Sequence, residues 1–281
     1  MKKTQLTLSL LGAVLSLAAI SPATAALVVH YSFNGNSLGA LTGGETIDNV
    51  AGATEGTFTA GTVAGSSASI VSYSGGKALK LTPGADNAEL GGAPHIATGF
   101  TASAAGITGS TAYTAMAWVN FLNATGDNMI FGSSDGATPA LHNGSRNGTI
   151  HSGHWGDDLG PDQIPAGPDR DKLNSLPGSW HHVAYTNDAN NAQSLFFDAV
   201  LVGGPGAGGP TAIGGMNILA PLVIGTSRNG GSFNGLLDEV RVYNTTLTLA
   251  EIRAASGIPE PGTTSLVALI GLSGLMMRRR R

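Results

Sequence analysis

The sequence predicts an all-β fold, a sandwich or a barrel of short strands. Apolar and polar residues alternate with a period of two in several segments, and Tyr113–Phe121 interleaves small and bulky side chains. Clusters of Gly, Asn and Pro separate these segments, and 42 of the 281 residues are Gly, which is typical of tight turns between strands. A helical pattern occurs only in one short segment near the C-terminal end. About 230 residues lie between the two terminal signals, enough for one large β domain.

The N-terminal segment has the three parts of a secretory signal peptide. Met1, Lys2 and Lys3 form a charged start, residues 6–20 are apolar, and Ala23-Thr24-Ala25 is a small-x-small cleavage site. We therefore expect signal peptidase to remove residues 1–25 and the folded domain to span residues 26–257.

The C-terminal segment, residues 258–281, also has three parts, and they predict a sorting signal. Its apolar run, residues 266–277, is shorter than the roughly 20 residues of a full membrane span. Terminal arginines cannot enter hydrocarbon cheaply, so they hold the end of the chain on the cytoplasmic side. The motif residues are Pro259, Glu260, Pro261, Arg278, Arg279, Arg280 and Arg281.

This tail resembles the PEP-CTERM signal of Gram-negative bacteria. The resemblance implies transient membrane association, recognition by an exosortase and removal of the tail. It also implies export through the inner membrane to the cell surface or an exopolysaccharide matrix. An ordinary C-terminal membrane anchor is the alternative.

The predicted elements follow one another along the domain. The first strand places Leu27, Val29, Tyr31 and Phe33 on one face, and a short helix over residues 248–253 follows the last strand. In that helix Thr248 and Glu251 are spaced as a capping box. Residues 156–177 and 203–210 are predicted surface loops. The other predicted strands are 77–81, Tyr113–Phe121, 180–186, 193–198, Pro221–Ile224 and 236–243.

Several of these segments resemble LamG-like, concanavalin A-like domains. The string Gly178-Ser179-Trp180-His181-His182-Val183-Ala184 is similar to their G-x-W-H-H-V-A segment, and residues 233–244 are similar to their closing strands. Residues 195–202 resemble a strand that usually contains Asp-Gly, but here Ala199 replaces the Gly. The resemblance covers most of residues 27–254 and implies a jelly-roll sandwich of two antiparallel sheets.

Composition excludes several classes of function. Setting aside Lys2, Lys3 and the four terminal arginines leaves eight of 14 basic residues, and setting aside Glu260 leaves 17 of 18 acidic ones, a net charge of −9. With no basic stripe, nucleic-acid binding is not expected. The chain has no Cys, which excludes disulfides, thiol catalysis and zinc–thiolate sites.

Asp238 is the first candidate metal ligand. Strict alternation would place it on the same face as Leu236, Val240 and Val242, where a buried carboxylate must be neutralised, hydrogen-bonded or metal-bound. Calcium prefers hard oxygen ligands. The family resemblance implies a structural calcium held between the opening segment and the last strand, with Asp48, Asn34 and Asn36 as further donors. The alternative is that Asp238 only accepts backbone amides in a turn or bulge.

A second cluster predicts carbohydrate binding at the mouth of the long loop. A flat Trp155 ring could stack on a sugar while Asp157, Asp158 and His154 offer polar contacts. A packed tryptophan beside a solvated acidic turn is the alternative. His151 and His154 are three residues apart, which on a strand places them on opposite faces and disfavours joint metal ligation.

The sequence contains no paired-carboxylate string of the E-x-D-x-x-E type, no G-x-S-x-G elbow and no phosphate-binding loop. The main hypothesis is therefore an exported, non-catalytic protein that binds extracellular polysaccharide or another extracellular component. The alternatives are a divergent glycoside hydrolase or lyase and a purely structural matrix or adhesion protein.

Overall fold

The computed structural model describes residues 25–52, 54–84, 91–107, 112–123, 125–133, 140–154, 158–160, 178–205, 219–228 and 231–258. These residues form two antiparallel sheets and one short helix, which confirms the predicted jelly-roll fold. Residues 1–24 of the predicted signal peptide and residues 259–281 of the predicted sorting tail lie outside the described residues. Within the described ranges, no helix combines the length and apolarity that crossing a bilayer requires.

Seventeen strands are described, and a single helix follows the last of them. The helix α1 is Leu249–Ser256. The strands are β1 (Leu27–Tyr31), β2 (Gly39–Leu41), β3 (Thr46–Ile47), β4 (Gly56–Thr59), β5 (Ser66–Tyr73), β6 (Gly76–Pro83), β7 (His95–Thr101), β8 (Tyr113–Phe121), β9 (Asp127–Ser133), β10 (His142–Arg146), β11 (Thr149–Gly153), β12 (Asp158–Leu159), β13 (His181–Asn187), β14 (Gln193–Phe197), β15 (Val200–Gly203), β16 (Pro221–Ile224) and β17 (Gly235–Tyr243).

The strands divide into a nine-stranded and an eight-stranded sheet. The first has the order β15-β14-β13-β8-β17-β6-β5-β2, and β1 joins it by pairing with β17. The second has the order β12-β11-β10-β9-β16-β7-β4-β3. Sequence neighbours such as β5 and β6 or β10 and β11 form hairpins, while β17 returns to the centre of its sheet between β6 and β8.

The core lies between the two sheets and is filled by the inward side chains of both. Burying each large apolar side chain contributes roughly 1.5–3 kcal/mol, and with no disulfide this packing is the main source of stability. The largest fully buried side chains include Tyr31, Phe33, Phe58, Tyr113, Phe131, Tyr185, Phe197 and Phe233.

Helix α1 covers part of the outer face of the nine-stranded sheet. Leu247 and Ile252 pack there on Met116, Ala184 and Phe196, which form a second apolar cluster. The predicted capping box begins the helix, because Thr248 accepts a hydrogen bond from the Glu251 amide and the Glu251 carboxylate accepts one from the Thr248 amide.

Strand β17 changes partners halfway along its length. Its first residues pair with β6, from Gly235 opposite Leu81 to Leu237 opposite Leu79, and its last residues pair with β1. The register against β8 shifts between Asp238 and Arg241. Glu239 has a φ of 50° at this point, so the strand contains a bulge at residues 238–239.

One local feature, an edge strand, differs from the sequence prediction. Asp158–Leu159 pairs with β11 as an edge strand inside a segment predicted to be a loop, since two residues are too few to show a pattern. Asp198 and Ala199 form the two-residue turn between β14 and β15 with φ values of 47° and 58°. Ala199 therefore occupies the left-handed conformation that the family's usual Gly adopts more easily.

Candidate functional site: an aromatic platform on the nine-stranded sheet

Tyr73 and Trp180 form a pair of aromatic rings on the outer face of the nine-stranded sheet. Ala68 and Ile70 point from β5 into the core, so Tyr73, at odd spacing from them, points outward. Trp180 directly precedes β13 and brings its ring against Tyr73, with ring centroids 4.8 Å apart and planes inclined by 34°. Both residues are partly exposed. We call these two residues the aromatic platform.

Asp238 lies beneath the platform and is only 3% exposed. The Tyr73 hydroxyl donates a 2.5 Å hydrogen bond to Asp238 Oδ2, and the Glu239 amide donates one of 2.8 Å to Oδ1. Burial raises the pKa of Asp238 to about 6 despite these two hydrogen bonds. Burial, together with the hydrogen bond to this carboxylate, also raises the pKa of the Tyr73 phenol, so the hydroxyl stays a donor.

The prediction that Asp238 shares the apolar face of Val240 and Val242 is wrong. Leu237, Val240 and Val242 all belong to the core between the sheets, and the bulge at residues 238–239 breaks the alternation. Asp238 therefore points to the outer side, where hydrogen bonds satisfy its carboxylate. The bulge is the alternative that the sequence left open.

Two of the three predicted calcium ligands of the opening segment, Asn34 and Asn36, contact a lysine ammonium. Lys77 Nζ donates to the backbone oxygens of Asn34 and Asn36 at 3.0 and 2.6 Å, and the Lys77 amide donates to Asn34 Oδ1. Asp48 lies directly against Gly35, where a Cβ would overlap with its carboxylate. Asn36 and Asp48 also line a cleft of about 360 Å³ at this rim.

This arrangement does not gather the four predicted calcium ligands into one group. Asp238 is held by Tyr73 and Glu239, whereas Asn34 and Asn36 are held by Lys77. A calcium ion at the two carbonyl oxygens would have to displace a cation that the protein itself supplies. Calcium binding stays a prediction, and a lower melting temperature in a calcium-selective chelator is the measurement that checks it.

The second predicted ligand-binding cluster is divided by the fold. His154 is fully buried, and its Nε2 lies 3.1 Å from the Tyr113 hydroxyl and 3.4 Å from Gln193 Nε2. It therefore offers no surface to a sugar, which corrects its prediction as a ligand-binding residue. Trp155 and Asp157 lie outside the described residues.

Asp158 lies at the outer face of the eight-stranded sheet beside His142, His151 and Arg146. Burial acts to raise the pKa of Asp158, but His142, His151 and Arg146 outweigh it and lower that pKa to about 2. His151 and His154 face different surroundings, as their odd spacing predicts.

His182 is buried on the helix-covered side of the nine-stranded sheet and not between the two sheets. It pairs across the strands with Trp118, and its ring meets the Trp118 ring edge-on at 5.6 Å. Neither of its ring nitrogens has a hydrogen-bond partner.

Sequence reasoning missed two groupings. The platform joins Tyr73 and Trp180 from segments far apart in sequence, and no local pattern reveals it. The contact of His142 with His151 does have a local signal, because Asn147-Gly148 is a strong two-residue hairpin turn. Its register places Gly144 opposite His151 and His142 opposite Gly153, on one face.

The fold resembles solved carbohydrate-related proteins at low sequence identity. Domain 4 of AbnA, a GH43 extracellular arabinanase from Geobacillus stearothermophilus in complex with arabinotriose, has a TM-score of 0.57 and 20% identity, over 82% of this chain and 98% of that one. A second structure is that of botulinum neurotoxin type C, whose cell entry is described as dependent upon interaction with two ganglioside molecules. It has a TM-score of 0.55 and 8% identity, over 84% of this chain and 52% of that one.

The binding domain of botulinum neurotoxin DC in complex with SialylT has a TM-score of 0.54 and 8% identity, over 83% of this chain and 52% of that one. The chain thus spans about half the length of the neurotoxin chains it resembles. At these identities the likeness concerns the fold. No curated protein matches the chain by sequence.

A family model does match, over residues 90–253, which is more than half of the chain. The matched region includes the Trp180–Ala184 and Asp238–Asn244 segments, and the two antiparallel sheets agree with it. The chain therefore belongs to the concanavalin A-like lectin/glucanases superfamily.

Proposed function

We propose that this protein binds carbohydrate without cleaving it, through the aromatic platform, outside the cell. The observation that carries the proposal is the partly exposed Tyr73–Trp180 pair above a hydrogen-bonded carboxylate. The arabinanase domain with the same fold was solved with arabinotriose, and the neurotoxin domains are described with gangliosides or SialylT, which supports a glycan as the class of ligand.

The chemistry of the platform suits a sugar ring. Aromatic faces carry negative charge density that attracts the C–H groups of a pyranose or furanose, and the contact removes apolar area from water. Among the described residues Trp180 makes no hydrogen bond, so its indole N–H is available to a sugar hydroxyl, and the Tyr73 oxygen can accept one.

The positions of the described carboxylates support a binding protein rather than a hydrolase. Hydrolysis needs two carboxyl groups that face each other across a bond, about 5–9 Å apart. Three of the described carboxylates are paired with cations, since Glu239 contacts His30 and Arg241 and Arg146 contacts both Asp127 and Asp158. A reducing-sugar assay on any glycan that binds tests this part: release of sugar would identify a hydrolase instead.

The decisive test is a glycan array with the purified protein, followed by titration of the glycans that bind. Trp180→Ala should weaken binding about tenfold or more, on the order of 1.4 kcal/mol, because it removes the stacking face. Trp180→Phe should retain part of the affinity, since a smaller ring face remains.

Val50→Ala is the matched control. Val50 is apolar and 64% exposed, it lies outside the platform, and its truncation should leave affinity unchanged. Equal glycan affinity of Trp180→Ala and the wild-type protein would contradict the platform as the binding site, and no glycan bound in any format would contradict carbohydrate binding itself.

Export and surface sorting belong to the same proposal. The N-terminal segment before Ala26 and the Pro259-Glu260-Pro261 tail with its arginines support delivery to the cell surface or an exopolysaccharide matrix. Intact-mass measurement of the protein from a host that contains an exosortase should show loss of both segments. Retention of the tail, or the same processing after all three Pro-Glu-Pro residues are replaced by Ala, would contradict the sorting role.

A further inference from the structure

We propose that His142, His151 and Asp158 bind a divalent transition-metal ion of the zinc class at the outer face of the eight-stranded sheet. The proposal is independent of carbohydrate binding at the platform, which lies on the other sheet. It rests on the geometry of one hairpin and the edge strand beside it.

The three side chains already converge on one point. One ligand atom from each residue lies within 4.8 Å of the other two. His142 Nε2 lies 3.0 Å from Asp158 Oδ1, and His151 Nε2 lies 3.8 Å from Asp158 Oδ2. Around a tetrahedral zinc ion with bonds of about 2.0–2.1 Å, ligand atoms are about 3.4 Å apart, so small rotations of the side chains would complete the site.

The His151 imidazole is buried without a hydrogen bond. Such an imidazole loses its hydration without compensation. In its neutral form the ring carries a lone pair that no hydrogen bond uses, and a metal requires such a lone pair.

His142 is oriented as metal-binding histidines are. Its Nδ1 lies 2.9 Å from the Ala140 carbonyl oxygen and must donate to it. With that proton on Nδ1, His142 Nε2 is the nitrogen that faces the Asp158 carboxylate and that a metal ion would bind. This nitrogen and a carboxylate oxygen at 3.0 Å need a proton or a cation between them. A backbone carbonyl that fixes the tautomer in this way is the usual outer shell of a histidine ligand.

The lack of a side chain at Gly153 lets two of the ligand atoms meet above the backbone. Gly153 pairs with both His142 and Asp158 across neighbouring strands, and a Cβ at Gly153 would overlap with His142 Nε2 and Asp158 Oδ1. Asp158 is partly exposed, with 29% of its side chain accessible, so the carboxylate side gives an ion access from solvent.

Arg146 lies next to the cluster and divides its guanidinium between two carboxylates. Its guanidinium contacts both oxygens of Asp127 at 2.9 and 3.1 Å, and only one further N–H reaches Asp158 Oδ2, at 3.1 Å. Asp127 therefore shares the guanidinium with Asp158, and Asp158 Oδ1 faces His142 instead of Arg146. Two imidazoles and one carboxylate select zinc, nickel or copper over calcium or magnesium, which prefer oxygen ligands.

The test is zinc titration of the purified, chelator-stripped full chain by calorimetry, together with its melting temperature with zinc or magnesium. We expect one zinc ion per chain and a melting temperature that rises with zinc but not with magnesium. His151→Phe keeps a buried ring and removes the lone pair, so it should lower zinc affinity at least 100-fold and abolish the rise. Asp158→Asn should weaken binding with little change in volume.

His95→Gln is the matched control. His95 is also buried, with its Nδ1 2.9 Å from the Ala93 carbonyl oxygen, but it belongs to no such cluster among the described residues. It should bind zinc like the wild-type protein. No saturable zinc binding by the wild-type protein, or full binding by a folded His151→Phe, would overturn the proposal and identify the cluster as a hydrogen-bonded ion pair.

Discussion

At the residue scale, His182 is a buried group whose charge state affects folding. It is 1% exposed, lies against the Trp118 ring and has no hydrogen-bond partner on either nitrogen. Burial lowers the pKa of His182 to about 4, with Asp198 opposing the shift and Arg241 adding to it. Its neighbours thus accommodate a neutral ring and not a cation.

This predicts a loss of stability in acid that His182→Phe removes. The unfolded histidine takes up a proton near pH 6.5 while the folded one does not until about pH 4, so the free energy of unfolding falls as pH drops through this window. Each unit of pKa difference corresponds to about 1.4 kcal/mol. Between pH 7 and pH 5, the free energy of unfolding of His182→Phe should therefore rise by about 2 kcal/mol relative to that of the wild-type protein. Urea unfolding at both pH values measures it.

The comparison between the two proteins cancels every other titrating group. Carboxylates that lose their partners in acid affect the wild-type protein and His182→Phe alike. A stability difference that does not change with pH would mean that His182 is protonated in the folded protein, against the structure.

At the element scale, helix α1 is the cover of the apolar cluster that includes Met116 and Ala184. It also accepts the Trp118 indole hydrogen bond at the carbonyl oxygen of Ser256. The helix has only eight residues, too few to be stable alone. Its packing and its capping box therefore decide whether it forms.

Thr248→Ala should lower the free energy of unfolding by about 1 kcal/mol, because the Glu251 amide loses its acceptor. Thr248→Ser keeps the hydroxyl oxygen and should remain within a few tenths of a kcal/mol of the wild-type protein. Thermal unfolding of the two variants side by side measures the effect. Equal losses in both would assign it to the methyl group and not to the cap.

At the scale of the whole molecule, the two proposed sites lie on opposite outer faces of the sandwich. Tyr73 and Trp180 belong to the nine-stranded sheet, and His142, His151 and Asp158 to the eight-stranded one. The core between the sheets is densely packed, and the two sites share no side chain.

Zinc should therefore leave glycan affinity unchanged within about twofold, because distant sites without shared partners are energetically independent. The measurement is glycan titration with and without saturating zinc, in the wild-type protein and in His151→Phe. A zinc-dependent affinity that disappears in His151→Phe would show instead that the two faces are coupled through the core.

Local patterns predicted the elements better than the sites. The segments with period-two alternation and those that resemble the family predicted the central strands. The spacing of Thr248 and Glu251 predicted where the helix begins. Short strands such as β3 and β12 contain two residues each, and no periodicity can appear in so few. The predicted face of Asp238 was wrong because a single bulge in a strand reverses which face each later residue occupies.

The sequence by itself determined the all-β class, the absence of disulfides and the two terminal segments that predict export, since composition and local periodicity carry this information. Only the tertiary structure decided which side chains meet. Tyr73, Trp180 and Asp238 come from three distant segments, and Lys77 occupies the oxygens predicted for calcium. Such contacts depend on strand order, register and the bulge in β17, which arise from pairing between segments far apart in the chain.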